Sequence, residues 1–165
     1  NKDHLKTIIF ILTCFFIGMI SEILGVNFAV IFGNYEYGDA LGYRVFGVPL
    51  LIGANWAILA VSCSALSATL FDSIYIKVIV GVFLMIILDA VIEPIAPVLD
   101  FWEFSGGKAP LKNYLGWIIV AFPLNCLYHI LNLKVNGTFT HHLYVLNMLF
   151  FSILLLQLNT LKNLI

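Results

Sequence analysis

Two carboxylates four residues apart, Asp89 and Glu93, stand near the end of a long apolar run. On a helix this spacing places both side chains on one face, about 5–6 Å from each other. Burial and a neighbouring like charge both disfavour the ionised form, so we expect at least one of the pair to keep its proton near neutral pH. A carboxyl group that keeps its proton is a general acid, and an ionised neighbour can act as a base or stabilise positive charge.

The elements that must position these acids are apolar helices. Of the 165 residues, 62% are hydrophobic and 10% are charged, whereas a soluble domain is roughly 45–50% apolar. The composition therefore predicts an all-α, polytopic membrane protein that forms a single domain. Runs long enough to span a bilayer, roughly 20 residues, cover residues 5–26, 48–70, 74–99, 114–133 and 143–161. Pro94 and Pro97 interrupt the third run, so its regular part is expected to end near Glu93.

With five consecutive spans, the two long connections, residues 27–47 and 100–113, lie on the same face of the membrane. Because the spans run antiparallel, the polar residues near these connections fall in the same half of the bilayer, while the other half is almost entirely apolar. This polar layer predicts a functional site. Its members are Glu22, Asn55, Asp89, Glu93, Asn113 and Trp117.

Several classes of function are disfavoured by the composition and the motifs. The net charge is −1 and the basic residues are scattered, which is not the footprint of a nucleic-acid-binding protein. The three cysteines lie in apolar runs without metal-ligand spacing, so neither a disulfide nor a metal site is predicted. Cofactor fingerprints and hydrolase motifs are missing, so no cofactor is expected. Lysine and arginine are shared between the two faces, and the orientation stays open.

Four blocks of sequence carry a resemblance: EILGVNFAVIFGNYEYG, LGYRVFGVPLLIGANW, DAVIEPIAPVLDFWEF and PLKNYLGW. Together, over about residues 22–117, they resemble the carotenoid biosynthesis membrane-protein family, which contains the carotenoid 1,2-hydratases acting on bisanhydrobacterioruberin and gamma-carotene. Members of that family usually carry further spans before the point where this chain starts. Because the chain opens on Asn1 instead of Met, we expect an N-terminally truncated member, located in the cell (inner) membrane.

The resemblance implies a cofactor-free enzyme that adds water across the terminal C1=C2 double bond of an acyclic carotenoid. For this reaction we expect Glu93, or secondly Asp89, to donate the proton, and Glu22 or Asp100 to activate the water. The expected substrate-binding residues are Asn55, Trp56, Asn34, Tyr35, Glu36, Trp102, Asn113, Tyr114 and Trp117. The expected partners are a lipophilic carotenoid, membrane lipid and other enzymes of the pathway.

Two other functions fit the same residues. A membrane lycopene cyclase protonates the same double bond, but a neighbouring alkene captures the cation. A non-enzymatic carrier or a scaffold for a carotenoid pathway would use the acids as a proton relay or not at all. Carriers usually show inverted repeats and paired broken helices, whereas this chain has one broken helix and no internal repeat.

Overall fold

The computed structural model describes residues 2–162, which form a mostly helical protein and confirm the predicted all-α class. The helices are α1 (Lys2–Phe28), α2 (Leu50–Leu70), α3 (Ile74–Ile92), α4 (Leu111–Ile130) and α5 (Gly137–Lys162). Four of them, α1, α2, α3 and α5, are long and apolar enough to cross a membrane. The α4 helix has a similar length but is more polar, because it carries Lys112, Asn113, Asn125 and His129.

The α2 helix occupies the centre of the bundle and packs against α1, α3, α4 and α5. Its buried faces are rich in small residues, including Gly53, Ala57 and Ala60, which let neighbouring helices approach closely. In α1, Gly18 serves the same purpose, since a Cβ atom there would lie 2.5 Å from Cγ of Trp56. A glycine at this position therefore makes room for the indole between α1 and α2.

The α3 helix ends at Ile92, earlier than the predicted span of 74–99, and residues 93–100 form consecutive turns. Proline has no N–H to continue the helical ladder and its ring crowds the preceding turn. The backbone instead forms turns with hydrogen bonds between residues three apart, such as that from the N–H of Ile95 to the carbonyl of Ile92 at 2.8 Å. The break leaves Glu93 at the helix end.

The two long connections contain short strands, which we did not predict from the sequence. These are β1 (Tyr35–Tyr37), β2 (Arg44–Val45), β3 (Val48–Pro49) and β4 (Trp102–Phe104), paired antiparallel as β1 with β4 and β2 with β3. Side chains alternate across a strand, so Tyr35 and Tyr37 are buried while Glu36 between them is exposed. The β1–β4 pair thus joins both connections into one cover over the end of the bundle, with aromatic side chains facing inward.

A buried amide in the opposite half of the bundle ties three helices together. Asn125 of α4 accepts a hydrogen bond from the Ser64 hydroxyl of α2 at 2.7 Å and donates one to the Met85 sulfur of α3 at 3.4 Å. A Cβ atom at Gly81 of α3 would overlap the Asn125 amide oxygen. This arrangement is polar interhelical packing.

We expect Gly81→Ala to lower the free energy of unfolding by about 1–3 kcal/mol, because the added methyl group pushes α3 away from α4. The loss should appear although alanine has the higher helix propensity. Thermal unfolding in detergent measures it, with Gly106→Ala as control, since a Cβ atom there meets open space. Equal unfolding of both variants and the unmodified protein would contradict this account of the α3–α4 contact.

Candidate active site

Three carboxylates from two helices meet in a pocket beneath the β1–β4 cover. Glu22 comes from the last turns of α1, Asp89 from the last turn of α3, and Glu93 from the residue that follows α3. The pocket, called the acid pocket below, has a cavity volume of about 30 Å³. Its walls are Glu22, Phe32, Tyr35, Tyr37, Ile52, Asn55, Trp56, Asp89, Glu93, Trp102, Phe104, Asn113 and Trp117.

Glu22 accepts three side-chain hydrogen bonds. The hydroxyls of Tyr35 and Tyr37 donate to Oε2 at 2.5 and 2.7 Å, and the indole Nε1 of Trp56 donates to Oε1 at 2.9 Å. Two of the donors lie on β1, which reaches Glu22 because the cover folds over the end of α1. Three neutral donors replace the water that the carboxylate loses on burial.

Asp89 and Glu93 share a single amide. Nδ2 of Asn113, at the start of α4, donates to Oδ2 of Asp89 at 3.0 Å and to Oε1 of Glu93 at 3.1 Å. The other oxygen of Glu93 accepts a longer bond of 3.3 Å from Nε1 of Trp102. One amide group therefore holds the two acids of the four-residue spacing side by side, as the sequence predicted for neighbours on one helical face.

Aromatic rings surround the carboxylates on the remaining sides. The Trp56 and Trp117 rings stack with centroids 4.2 Å apart and an interplanar angle of 21°. Tyr35 packs against Phe104 at 5.2 Å and against Tyr37 at 5.6 Å. Aromatic faces carry negative quadrupole potential, so a cation formed in this pocket would meet both carboxylates and ring faces.

No salt bridge reaches the three acids within the part of the chain that the structure describes. The ion pair found there joins Arg44 to Asp39 on the surface of the cover. Burial raises the pKa of Glu93 to about 7, and the charge of Glu22 adds to this against the opposing hydrogen bonds of Trp102 and Asn113. Burial, followed by the charge of Glu22, also raises the pKa of Tyr35 and of Tyr37 well above its usual range. Both phenols are therefore neutral donors.

Nine of the residues predicted for the site line the acid pocket. These are Glu22, Tyr35, Asn55, Trp56, Asp89, Glu93, Trp102, Asn113 and Trp117. The sequence interpretation missed Tyr37, Phe32, Ile52 and Phe104. For Tyr37 a signal was present, since residues two apart in a strand lie on the same face, but a three-residue strand inside a loop has no recognisable pattern.

The structure does not bring Asp100, Asn34, Glu36 or Tyr114 to the pocket walls. Asp100 is exposed, and its Oδ2 accepts the backbone N–H groups of Asp39 and Ala40 at 2.8 and 3.2 Å. It therefore holds one connection against the other and is not available to activate water, which corrects the expectation for this residue. Asn34 and Glu36 are exposed on the cover, and Tyr114 is partly buried beside the pocket.

Comparison with known proteins gives one family. A family model described as "Carotenoid biosynthesis protein" matches residues 2–164, nearly the whole chain. No curated protein and no solved structure gives a match. Within residues 2–162, no group of three or more His, Cys, Asp and Glu side chains is arranged to hold a metal ion.

We expect Tyr37→Phe to lower the free energy of unfolding by about 1–3 kcal/mol, because it leaves a buried carboxylate oxygen with one donor fewer. Tyr43→Phe is the matched control, since Tyr43 is 77% exposed, and should leave stability unchanged. Chemical or thermal unfolding in detergent compares the two variants. If Tyr37→Phe is as stable as Tyr43→Phe, the hydrogen bond to Glu22 does not support the site.

Proposed function

This chain belongs to the carotenoid biosynthesis protein family, and on that premise we propose that it hydrates the terminal C1=C2 double bond of an acyclic carotenoid end group without a cofactor. The observation that carries the proposal is the acid pocket itself. Three carboxylates without a salt bridge in the described chain share a small polar cavity. Such a site supports proton transfer to an apolar substrate.

Glu93 is the proton donor in this proposal. With a pKa of about 7, it is substantially protonated at neutral pH and strong enough to give up its proton, which is the compromise that a general acid needs. Its proton adds to C2, the electron pair of the double bond forms the new C–H bond, and a tertiary cation remains at C1. Asp89, fixed beside Glu93 by Asn113, is the second choice for the donor.

Glu22 is the base. An ionised carboxylate accepts hydrogen bonds and donates none, and all three side-chain bonds of Glu22 come from donors. The oxygen of a water molecule attacks C1 while Glu22 removes one of its protons, so that H has added to C2 and OH to C1. Return of the proton from Glu22 to Glu93 resets the site.

The cation is stabilised by its surroundings before water captures it. The stacked rings of Trp56 and Trp117 form one wall of the pocket, and a desolvated aromatic face contributes about 1–2 kcal/mol to binding a cation. The carboxylates supply the opposite charge in a site of low dielectric constant, where fixed charges act most strongly.

The size of the acid pocket favours capture by water. About 30 Å³ is room for one or two water molecules, and the walls offer carboxylate, amide and phenol groups to hold them. A cyclase requires a second alkene of the substrate at C1 in place of water, so the isoprenoid chain would have to fold outside the acid pocket. Cyclisation therefore remains the alternative, and a carrier or scaffold the second alternative.

Incubation with lycopene separates these functions. We expect a product heavier by one water molecule, whereas cyclisation gives an isomer of unchanged mass and a carrier gives no product. Glu93→Gln and Asp89→Asn should each lower the rate by roughly 10²-fold or more, the usual contribution of a general acid. Glu103→Gln is the control, because Glu103 lies on β4 but is exposed. Full activity in both acid variants would remove the assignment.

The pH dependence of the rate provides a separate test. Because the pKa of Glu93 is raised to about 7, its proton is fully present below that pH and lost above it. We expect kcat to fall to half of its maximum near pH 7 and to decline about tenfold for each further unit on the alkaline side. Initial rates in detergent from about neutral to alkaline pH measure this. A rate that goes on rising above pH 7 would contradict a protonated donor.

A further inference from the structure

An apolar cavity of about 210 Å³ adjoins the acid pocket on the side of α5. Three residues, Ile52, Asn55 and Trp102, belong to the walls of both. The remaining walls come from α2, α5, the end of α3 and the cover, and they consist of Leu41, Leu51, Ile58, Ile92, Phe101, Asn147 and Phe151. The acid pocket therefore adjoins an apolar space several times larger than itself.

A second apolar cavity of about 300 Å³ continues from the first along the same seam. The two share Ile58 of α2. The second cavity is bounded by α1, α2 and the start of α5, and its walls are Ile11, Leu12, Phe15, Ala54, Ala57, Ile58, Val61, Ser62, Phe139, Thr140 and Leu143. Together the two cavities form what we call the α2–α5 groove.

The helical spacing places the wall residues of both cavities on one stripe of each helix. On α2, the wall residues Leu51, Asn55, Ile58 and Ser62 are three or four apart, so they form one stripe. On α5, Phe151, Asn147, Leu143 and Thr140 follow the same spacing in the opposite direction. From Leu51 to Ser62 the groove extends about 16 Å along the helix at 1.5 Å per residue.

The polar group at the junction is Asn55. Its side chain forms no hydrogen bond to another side chain or backbone group in the described chain, although it lines both the acid pocket and the groove. Asn55 is partly buried, and its amide carries two donors and an acceptor. The free amide is thus placed to bind a water molecule, or the hydroxyl group formed from it, where an apolar chain would end.

We propose that the α2–α5 groove binds the polyene chain of an acyclic carotenoid, entering from the lipid with its end group at Asn55. The chemistry at that end rests on the proposed function, whereas occupation of the groove does not. The groove fits a long, largely apolar molecule because most of its wall residues are apolar; the polar exceptions are Asn55, Ser62, Thr140 and Asn147. A carotenoid is favoured over a lipid acyl chain because this protein belongs to the carotenoid biosynthesis protein family and the groove adjoins the acid pocket.

The test is retention of lycopene by protein purified in detergent from a lycopene-producing host, measured as pigment absorbance per protein. Leu143→Trp fills the groove far from the acids and should lower bound lycopene at least tenfold. Leu146→Trp is the matched control on the same helix, because Leu146 is 62% exposed and does not line the groove. It should retain as much pigment as the unmodified protein.

Ala54→Leu, on the α2 wall, provides a second obstruction if Leu143→Trp does not fold, as judged by gel filtration and circular dichroism. Either folded variant retaining lycopene at the level of the control overturns the proposal and indicates that lipid fills the groove. Failure of the unmodified protein to retain either lycopene or its hydrated product overturns it as well.

Glu93→Gln separates this proposal from the hydratase reaction. It should retain lycopene fully while forming the hydrated product at a rate lower by roughly 10²-fold or more. If the unmodified protein retains lycopene, the obstructed variants lose it, and none of them forms a product, the groove stands and the proposed function fails.

Discussion

Burying Glu22, Asp89 and Glu93 among apolar helices, without a salt bridge to any of them in the described residues, is the constraint on which the rest of the structure depends. A carboxylate that loses water must gain hydrogen-bond donors or keep its proton. Neutral donors are what the fold supplies: phenols from β1, indoles from α2 and β4, and an amide from α4. The pairing of β1 with β4 is therefore part of the site, since it carries two of the donors to Glu22.

The hydrogen-bond donors are distributed unequally among the three carboxylates, so the acids at the two ends of the pocket have different surroundings. Glu22 receives three short bonds, whereas Asp89 and Glu93 share the single amide of Asn113 and a longer bond from Trp102. Two acids with different surroundings can take different roles in one reaction, because the environment decides which of them holds a proton. The acids of the pocket can then differ in protonation although no Lys or Arg side chain forms a salt bridge with them in the described residues.

Much of the site could be predicted because the position of a residue along a membrane-spanning helix determines its depth in the bilayer. Alternating antiparallel spans place Glu22, Asp89 and Asn113 at one level without any knowledge of packing, and the structure brings all three to the acid pocket. The connections obey no such rule. Asp100 follows two prolines in an acidic segment and resembles the other acids in sequence, yet its carboxylate is used by the backbone N–H groups of Asp39 and Ala40. The three-residue strands β1 and β4 are equally hard to predict, because each pairs with a partner 65 to 69 residues away.

Protonation of the C1=C2 double bond could lead to hydration or to cyclisation, and the sizes of the acid pocket and of the α2–α5 groove bear on which of these products can form. A cation at the end of an isoprenoid chain reacts with the nearest nucleophile, and a flexible chain supplies its own alkenes when it has space to fold back. Here the polar cavity is about 30 Å³, and the apolar cavity of about 210 Å³ beside it is lined by residues of α2 and α5. If an extended carotenoid occupies the groove as proposed, its other double bonds lie away from C1, and water is then the nucleophile nearest to the proposed cation. Under the proposed function, the shape of the groove as well as the acids would therefore favour addition of water over ring closure.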